Sequence, residues 1–275
     1  MKRLIIIPAL ITIAACDQQP AGEPVVRTQL DGSGSTEIVE APAPDTATPA
    51  TNAASNCSSI TFEGVALTHC VADPSEHTVT TARAPSSGSN FGTISAWAAG
   101  KNEGEIAFVM NAGMYDDNLR AIGYYVENSD RQKELSRTDG PGNFHLKPNG
   151  VFFGSGSTWR VLDTETFYRT VGDRPQFGTQ SGPMLVIDGK LHPEFQDNGP
   201  SRAIRNGVGV TADGKAHFVI SDAPISFGQF GRFFRDELKT PNALFLDGNV
   251  SSLWDPATGR MDNRRVGPLL VVKDK

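Results

Sequence analysis

Residues 179–189 read TQSGPMLVIDG: a polar cluster with a glycine, then a short apolar run, then an Asp-Gly pair. The apolar run at 183–187 has the length of a β-strand, and Asp188-Gly189 is typical of a tight hairpin turn. A second pair, Asp213-Gly214, separates two further apolar runs. The pattern predicts antiparallel strands joined by hairpins.

Runs of this kind continue through the chain beyond residue 56. They lie at 106–110, 150–153, 183–187, 208–211, 216–220, 243–246 and 269–272. No internal repeat and no alternation of strand and helix patterns accompanies them, so a parallel βαβ fold is not favoured. Residues 57–275 therefore predict one α+β domain, dominated by mixed or antiparallel β-sheet with a few helices.

Two stretches carry a helical pattern. In the first, four apolar residues share one helical face: Phe91, Ile94, Trp97 and Ala98. Gly100 follows them and suits a helix C-terminus. In the second, Ser226 is a candidate N-cap. The expected inward residues there are Phe227, Phe230, Phe233, Phe234 and Leu238, with Arg232, Arg235 and Asp236 facing outward.

The N-terminus has the pattern of an export signal. Lys2 and Arg3 precede an apolar run at 4–13, which is too short for a membrane span of about 20 residues but suits a signal peptide at 1–15. Ile13-Ala14-Ala15-Cys16 resembles the bacterial lipobox, and this resemblance implies a lipidated Cys16 and a cell-envelope location on a membrane surface. The alternative is an ordinary signal peptide with an incidental cysteine. The choice between inner and outer membrane stays open.

Residues 16–56 predict a disordered tether. The stretch lacks Phe, Trp and Tyr, contains repeated prolines, and carries six acidic residues against Arg27 alone. Most of the net charge of −6 therefore lies here, and the remaining domain is only mildly acidic. Nucleic acid is excluded as a partner, because phosphate backbones are bound by basic faces. The sequence is silent on oligomeric state.

Two cysteines remain once Cys16 is set aside. In an oxidising compartment Cys57 and Cys70 predict a disulfide at the start of the domain. A metal site is the weaker reading, since only His69 lies close by and no histidine pair has a zinc-site spacing.

The chemistry-bearing residues form polar clusters, each beside an apolar run. The clusters are 111–115, 147–150, 179–183, 202–207 and 247–252. Loops at strand ends present polar sites in this way, although each cluster taken alone also reads as a turn or a solvated surface. Ser181 lacks the first glycine of a nucleophile elbow, and no phosphate-binding glycine loop is present. Asp247 differs, because it directly follows the buried-looking run at 243–246.

Together the clusters resemble the phosphodiester glycosidase family, relatives of the animal lysosomal uncovering enzyme. The matching motifs are Asn111-Ala-Gly-Met-Tyr115, Lys147-Pro-Asn-Gly-Val151, Gln180-Ser-Gly-Pro-Met184, Arg205-Asn-Gly-Val-Gly209 with 211–214, and Leu246-Asp-Gly-Asn-Val-Ser-Ser252. The resemblance covers roughly 60–272 and implies hydrolysis of a sugar that is linked through its anomeric carbon to a phosphate diester. Asn249 departs from the family pattern, which has a glycine there.

The resemblance and the chemistry assign roles to these residues. Asp247 is the catalytic carboxylate, because an oxocarbenium-like transition state needs one. Arg205 aligns with the family arginine and would hold the phosphate, with Lys147 and Arg202 in support. The remaining substrate-binding candidates are Asn111, Gly113, Tyr115, Asn149, Gln180, Ser181, Gly182, Gly248, Ser251 and Ser252. Asp116 and Asp222 are candidates for a second carboxylate. No cofactor is required, and a divalent metal stays open.

The sequence thus predicts a membrane-anchored hydrolase of sugar phosphodiesters in envelope or extracellular glycans. The rival is a glycan-binding or envelope-assembly lipoprotein without catalysis, which is favoured if the loops of Asp247, Arg205 and Lys147 lie far apart. A third reading is a phosphoesterase that cuts the P–O rather than the C–O bond.

Overall fold

The structure is a computed structural model of the chain, and it describes residues 54–83, 91–247 and 250–275. The predicted signal peptide, the lipidated Cys16 and nearly all of the predicted tether lie outside the described residues. Asn52–Lys275 form one compact unit. Its first described contacts come from Ser55, whose hydroxyl donates to Asp255 (2.6 Å), and from Asn56, whose carbonyl accepts from the amide of Val71.

Strands make up most of the regular secondary structure among the described residues. In chain order they are β1 (Cys57–Phe62), β2 (Val65–Ala72), β3 (His77–Ala82), β4 (Ile106–Asn111), β5 (Tyr125–Glu127), β6 (Asp130–Lys133), β7 (Gly150–Ser155), β8 (Thr158–Asp163), β9 (Phe177–Ser181), β10 (Met184–Ile187), β11 (Lys190–Leu191), β12 (Arg202–Ala203), β13 (Asn206–Val210), β14 (Ala216–Ser221), β15 (Ile225–Ser226), β16 (Asn242–Phe245), β17 (Leu253–Asp255), β18 (Arg260–Met261) and β19 (Leu269–Asp274).

Helices are short. They are α1 (Ile94–Ala98), α2 (Thr164–Thr170) and α3 (Phe227–Arg232), with 3-10 turns at Glu103–Glu105 and Asn143–His145 and a π-helical turn at Phe233–Glu237 that continues α3. Within the described ranges no helix is long and apolar enough to cross a membrane.

The strands form three main sheets with antiparallel pairing throughout the described residues. Their orders are β1-β2-β14-β13-β16-β10-β11, β18-β17-β4-β19-β3 and β6-β5-β9-β7-β8, and β12 pairs with β15. The predicted α+β class with dominant antiparallel sheet is confirmed.

Both predicted hairpins are present, but they differ in length. Asp188 and Gly189 have φ of 46° and 76° between the paired residues Ile187 and Lys190, so this is a two-residue turn. The second hairpin has a five-residue loop between the paired residues Val210 and Ala216. Inside this loop the amide of Thr211 donates to the carbonyl of Lys215. Only its Gly214 takes a left-handed backbone, with φ of 87°.

Both predicted helices form, and one helix was missed. α1 begins after Thr93, and Ser226 caps α3 by accepting from the amide of Gln229, as its sequence predicts. The missed helix is α2, which Asp163 caps by accepting from two amides. Its sequence TETFYRT has a short and mixed apolar pattern, so the helical period is hard to detect.

The largest core cluster lies where the three sheets meet. Phe108 of β4, Phe152 of β7 and Phe218 of β14 come one from each sheet and are fully buried. The ring of Phe218 lies 5.2 Å from that of Phe108 and 5.7 Å from that of Phe152, both edge to face. A second cluster packs α3 against the outer face of the seven-stranded sheet through Phe230 and Phe245. The ends of β4, β13 and β16 are thereby held rigidly beside one another.

The predicted disulfide between Cys57 and Cys70 is confirmed, and it joins directly opposed residues of β1 and β2. Replacing both cysteines by serine should lower the free energy of unfolding by about 3 kcal/mol, because the loop of 13 residues would no longer be closed in the unfolded chain. Urea unfolding with and without reductant measures this. An unchanged midpoint would contradict the stabilising role.

A buried histidine pair makes stability depend on pH. The rings of His69 and His217 are stacked, and their Nε2 and Nδ1 atoms lie 2.9 Å apart in a hydrogen bond. Burial, and next the charge of His217, lower the pKa of His69 from 6.5 to about 4. Burial also lowers the pKa of His217.

The free energy of unfolding should therefore fall as pH drops from about 6.5 to about 4, since the unfolded chain binds a proton at His69 that the folded chain does not. A shift of this size corresponds to at most about 3 kcal/mol. His69→Leu should remove that part of the pH dependence in urea titrations across this range. An identical slope in the parent and in His69→Leu would rule the pair out as its source.

Candidate active site

The candidate site lies where β13 and β16 end side by side. Gly207 pairs with Phe245, and the amide of Leu246 donates to the carbonyl of Asn206 (3.1 Å). Continuing this register places Arg205 opposite Asp247, on the sheet face that also carries α3. Two of the predicted catalytic residues are thereby brought to neighbouring strand ends.

The side chain of Asn206 organises this edge. Its Nδ2 donates to the backbone oxygen (3.1 Å) and to the Oδ1 (3.0 Å) of Asn111, at the end of β4. Its Oδ1 accepts from the amide of Asp247 (3.2 Å). Asn206 and Asn111 are fully buried, so each hydrogen bond is made away from water.

Asn111 extends the network to the loop after β16. Its Nδ2 donates to the carbonyl of Val250 (2.9 Å), and its Oδ1 accepts from the amide of Ser252 (2.8 Å). The predicted substrate-binding residue Asn111 therefore uses its side chain to hold the loop that follows Asp247. Gly248 lies outside the described residues.

Asp247 lines a cleft and is only 7% exposed. The cleft has a volume of about 220 Å³ and is lined by Met114, Ile122, Pro141, Gly142, Asn143, Phe144 and His145 besides Asp247. His145 is a residue that sequence reasoning missed, because it precedes the matching motif at Lys147 and has no spacing signal of its own. Its Nδ1 lies 3.2 Å from the carbonyl of Thr138.

Tyr115 lies against Asp247, as its place among the predicted site residues requires. Burial first, and then the negative charge of Asp247 and a hydrogen bond with it, raise the pKa of the Tyr115 hydroxyl. The single hydroxyl proton is shared between Asp247 and the carbonyl of Arg265, which lies 2.9 Å from the hydroxyl oxygen. The ring is close to the backbone of Gly267, where an added Cβ would lie 2.6 Å from it. Tyr115 is thus fixed as a protonated neighbour of the carboxylate.

The three predicted serines brace the same edge. Ser181 donates to the carbonyl of Leu246. Ser252 donates to the carbonyl of Asp262 (2.9 Å). Ser251 lies within 3.4 Å of Asn206 Oδ1 and within 3.5 Å of the carbonyl of Asp247. Of the three hydroxyls, that of Ser251 has the longest contacts and is therefore the freest to turn toward a ligand.

Two predicted glycines permit close packing. An added Cβ on Gly113 would lie 2.3 Å from the backbone oxygen of Gln180, and one on Gly182 would lie 2.7 Å from Cβ of Asn149. The Nδ2 of Asn149 in turn donates to the carbonyl of Phe144 (2.8 Å), which lines the Asp247 cleft. These residues shape the cleft wall from behind.

Gln180 is also satisfied inside the protein. Its Oε1 accepts from the amides of Tyr124 and Ser136 (2.9 Å each), and its Nε2 donates to the carbonyl of Ser136 (2.7 Å) and to the hydroxyl of Thr164 (3.0 Å). The side chain therefore joins β9 to Ser136, a few residues before the segment 141–145 that lines the Asp247 cleft.

Arg205 is only 1% exposed. Its Nε donates to the carbonyl of Ile225 (2.9 Å) and its Nη2 to the carbonyl of Ser201 (2.9 Å), while the guanidinium stacks 3.6 Å from the Phe227 ring centre. Burial lowers its pKa to about 10, so it stays cationic at neutral pH. Among the described residues no carboxylate is paired with it, and its Nη1 makes no hydrogen bond.

The other predicted cations do not line the Asp247 cleft. Lys147 donates to Asp139 (2.6 Å) and to the carbonyl of Arg137 (3.0 Å), and it lines a separate cleft with Asp163. Arg202 is exposed, and its Nη1 donates to Oε1 of Gln229 at 3.4 Å. The structure thus places Arg205 and Asp247 at neighbouring strand ends, while neither Arg205 nor Lys147 lines the Asp247 cleft.

Neither candidate for a second carboxylate lines the Asp247 cleft. Asp116 accepts from the amide and the Nε of Arg120 (2.9 Å each), and these bonds lower its pKa. Asp222 accepts from Arg260 (2.9 Å) and Thr68 (2.8 Å). No group of three or more His, Cys, Asp or Glu side chains arranged for a metal occurs among the residues that the structure describes.

A family model described as phosphodiester glycosidase matches residues 104–273, which is more than half of the 275-residue chain. The chain belongs to the phosphodiester glycosidase family. A relative from Escherichia coli (strain K12), the uncharacterized protein YigE, is 34% identical over 168 residues, which are 61% of this chain and 65% of that protein. The match thus spans slightly less than two thirds of the relative's length.

Two solved structures share the fold. The catalytic domain of zebrafish N-acetylglucosamine-1-phosphodiester alpha-N-acetylglucosaminidase, auto-inhibited by its pro-peptide, has a TM-score of 0.56 at 13% identity, over 80% of this chain and 82% of that chain. A hypothetical protein from Synechocystis has a TM-score of 0.52 at 14% identity, over 80% of this chain and 61% of that chain. At these identities the likeness concerns the fold alone.

The Asn206 side chain is expected to be the main support of the site. Asn206→Ala should lower the free energy of unfolding by about 3 kcal/mol, because it removes the buried hydrogen bonds of the Asn206 side chain to Asn111 and to the amide of Asp247. Chemical denaturation measures the loss. The exposed Asn263→Ala is the matched control and should change stability by less than about 0.5 kcal/mol. Equal effects of the two substitutions would contradict the structural role of Asn206.

Proposed function

We propose that this protein hydrolyses the bond between a sugar anomeric carbon and a phosphodiester in envelope or extracellular glycans. The observation that carries the proposal is Asp247, a carboxylate held at 7% exposure in the wall of a cleft. Membership of the phosphodiester glycosidase family supports the reaction class. The proposed anchor is a lipid on Cys16, supported by the lipobox-like sequence before it.

The cleft has the chemistry for one carboxylate-assisted step. A volume of about 220 Å³ is below the range of about 300–1,000 Å³ for drug-sized ligands, and suits one sugar ring. Asp247 would stabilise the positive charge that develops on the ring, either as nucleophile or by electrostatics. The backbone amide of Asp247 donates a hydrogen bond to the Asn206 side chain, and Tyr115 lies beside the carboxylate. These two contacts fix the position of Asp247.

The phosphate needs cationic or hydrogen-bonding partners as its bond to the sugar breaks. Arg205 supplies a buried positive charge on the neighbouring strand end, with its Nη1 still able to donate. Asn143 and His145 line the cleft itself, and the side-chain amide of Asn143 can donate to a phosphate oxygen. Because a phosphate is already a good leaving group, this site needs less help from a general acid than a site for ordinary glycosides.

A second candidate function is glycan binding without catalysis, in an envelope or exopolysaccharide assembly lipoprotein. The observation that favours it is the separation of Lys147, which is paired with Asp139 and lines another cleft. The absence of Asp116 and Asp222 from the Asp247 cleft points the same way.

Turnover decides between the two functions. The compact unit 52–275, with its disulfide intact, should release reducing sugar from a panel of nucleotide sugars and sugar-1-phosphodiesters. Asp247→Asn should lower kcat by about a thousandfold or more, since it removes the carboxylate charge and keeps the shape. Arg205→Lys should also lower kcat/KM, because it removes the planar fork but keeps the charge.

Asp213→Asn is the matched control. It removes an exposed carboxylate in the β13–β14 hairpin and should leave turnover unchanged. Full activity of Asp247→Asn would make the assignment wrong. A folded parent protein that binds the sugars but turns none over would establish the non-catalytic function instead.

A further inference from the structure

A second cleft, which we call the α2 cleft, lies beside helix α2. It has a volume of about 530 Å³, more than twice that of the Asp247 cleft. Its wall combines three aromatic side chains, Tyr124, Phe167 and Tyr168, with the arginines Arg131, Arg137 and Arg174. None of these six residues lines the Asp247 cleft.

Tyr168 is the exposed part of this wall. It is 59% exposed, and the other exposed large apolar side chain among the described residues is Met261, at 36%. The guanidinium of Arg137 lies 4.1 Å from the centre of the Tyr168 ring and is itself held by a two-bond contact with Glu165 (2.9 and 2.7 Å). The guanidinium thus covers one face of the ring and fixes its place, while more than half of the Tyr168 surface stays exposed.

The floor beneath it is rigid. Phe167 packs edge to face on Tyr124 (5.0 Å) and on Phe153 (4.8 Å). The N-cap Asp163 holds the first turn of α2. A preformed wall of this kind loses little conformational entropy when a ligand binds.

The chemistry of the wall fits a glycan. The apolar C–H face of a sugar packs on an exposed aromatic ring, and its hydroxyls bond to fixed guanidinium and carboxylate groups. Arg131 is paired with Glu134 (3.0 Å), and Arg174 is bonded to the carbonyl of Ser129 (3.3 Å), so these groups are held in place too. A groove for an apolar peptide or helix would carry fewer charges.

The two clefts are linked by one short segment. Residues of 131–137 line the α2 cleft and residues 141–145 line the Asp247 cleft. The Cα atoms of Arg137 and Pro141 are at most about 14 Å apart, because four residues span no more than that when fully extended. Arg137 and Pro141, one from each lining, are thus within the length of a few sugar units of each other.

Hydrogen bonds join the same two regions. Ser136, between two residues of the α2 cleft, is bonded through both its amide and its carbonyl to the side chain of Gln180. The next residue, Ser181, donates to the carbonyl of Leu246, directly before Asp247. The clefts thus share one framework.

We infer that the α2 cleft is an accessory glycan-binding site, in which Tyr168 and the arginines hold a sugar a few units away from the bond cleaved beside Asp247. The place of cleavage rests on the proposed function, but glycan binding at the α2 cleft does not. Binding and turnover are therefore measured separately.

Binding is measured with the intact chain carrying Asp247→Asn, so that no probe is consumed. The probes are an oligosaccharide of three N-acetylglucosamine-1-phosphate repeats and the one-unit diester uridine diphosphate N-acetylglucosamine. Adding Tyr168→Ala should weaken calorimetric binding of the oligosaccharide at least fivefold and change that of the one-unit probe less than twofold. Tyr168→Trp, which keeps an aromatic face, should retain binding, and Met261→Ala is the matched control for an exposed apolar side chain.

Turnover is measured with active protein. Tyr168→Ala should raise KM for the oligosaccharide at least fivefold with kcat unchanged, and should leave both constants for the one-unit diester as in the parent. If no probe is turned over while Tyr168→Ala still weakens oligosaccharide binding, the proposed function fails and the accessory site stands. The accessory site is overturned if the Asp247→Asn protein binds the oligosaccharide no more tightly than the one-unit probe, or if adding Tyr168→Ala changes the binding of both probes equally or of neither.

Discussion

The buried amide of Asn206 is the interaction on which the site depends. It joins three pieces of chain that are far apart in sequence: the end of β4 through Asn111, its own strand β13, and Asp247 after β16. A buried amide with every partner in place is rigid, and one with a partner missing costs about 1–3 kcal/mol for each group left unsatisfied. The carboxylate is therefore fixed by the same contacts that fix the strand ends.

Packing of the three sheets excludes water from this amide network. Phe108, Phe152 and Phe218 close the space between the three sheets, and α3 covers the outer face beside Arg205. Burial in turn shifts the pKa values of Arg205 and Tyr115. Arg205 remains a cation without a carboxylate partner among the described residues, and Tyr115 remains protonated beside Asp247. A site of this type stabilises charge without reorganising water.

Sequence reasoning predicts the parts of this design that repeat locally. Apolar runs predicted the central strands, Asp188-Gly189 predicted a hairpin, and Ser226 predicted a helix start. It could not tell a ligand-facing polar residue from one that holds the fold. Gln180 and Asn111 stand in the family motifs, yet their amides are satisfied by backbone groups from distant segments. His145 and Tyr168 carry no local pattern, because only tertiary structure places them in clefts.

The central claim is that the bond to the anomeric carbon breaks beside Asp247, and hydrolysis in ¹⁸O-labelled water tests it most directly. Attack at the anomeric carbon puts the label in the released sugar and leaves the phosphate unlabelled, as mass spectrometry of both products would show. We expect the label in the released sugar alone. Label in the phosphate would mean that the P–O bond is cut. That result would contradict the proposed cleavage at the anomeric carbon.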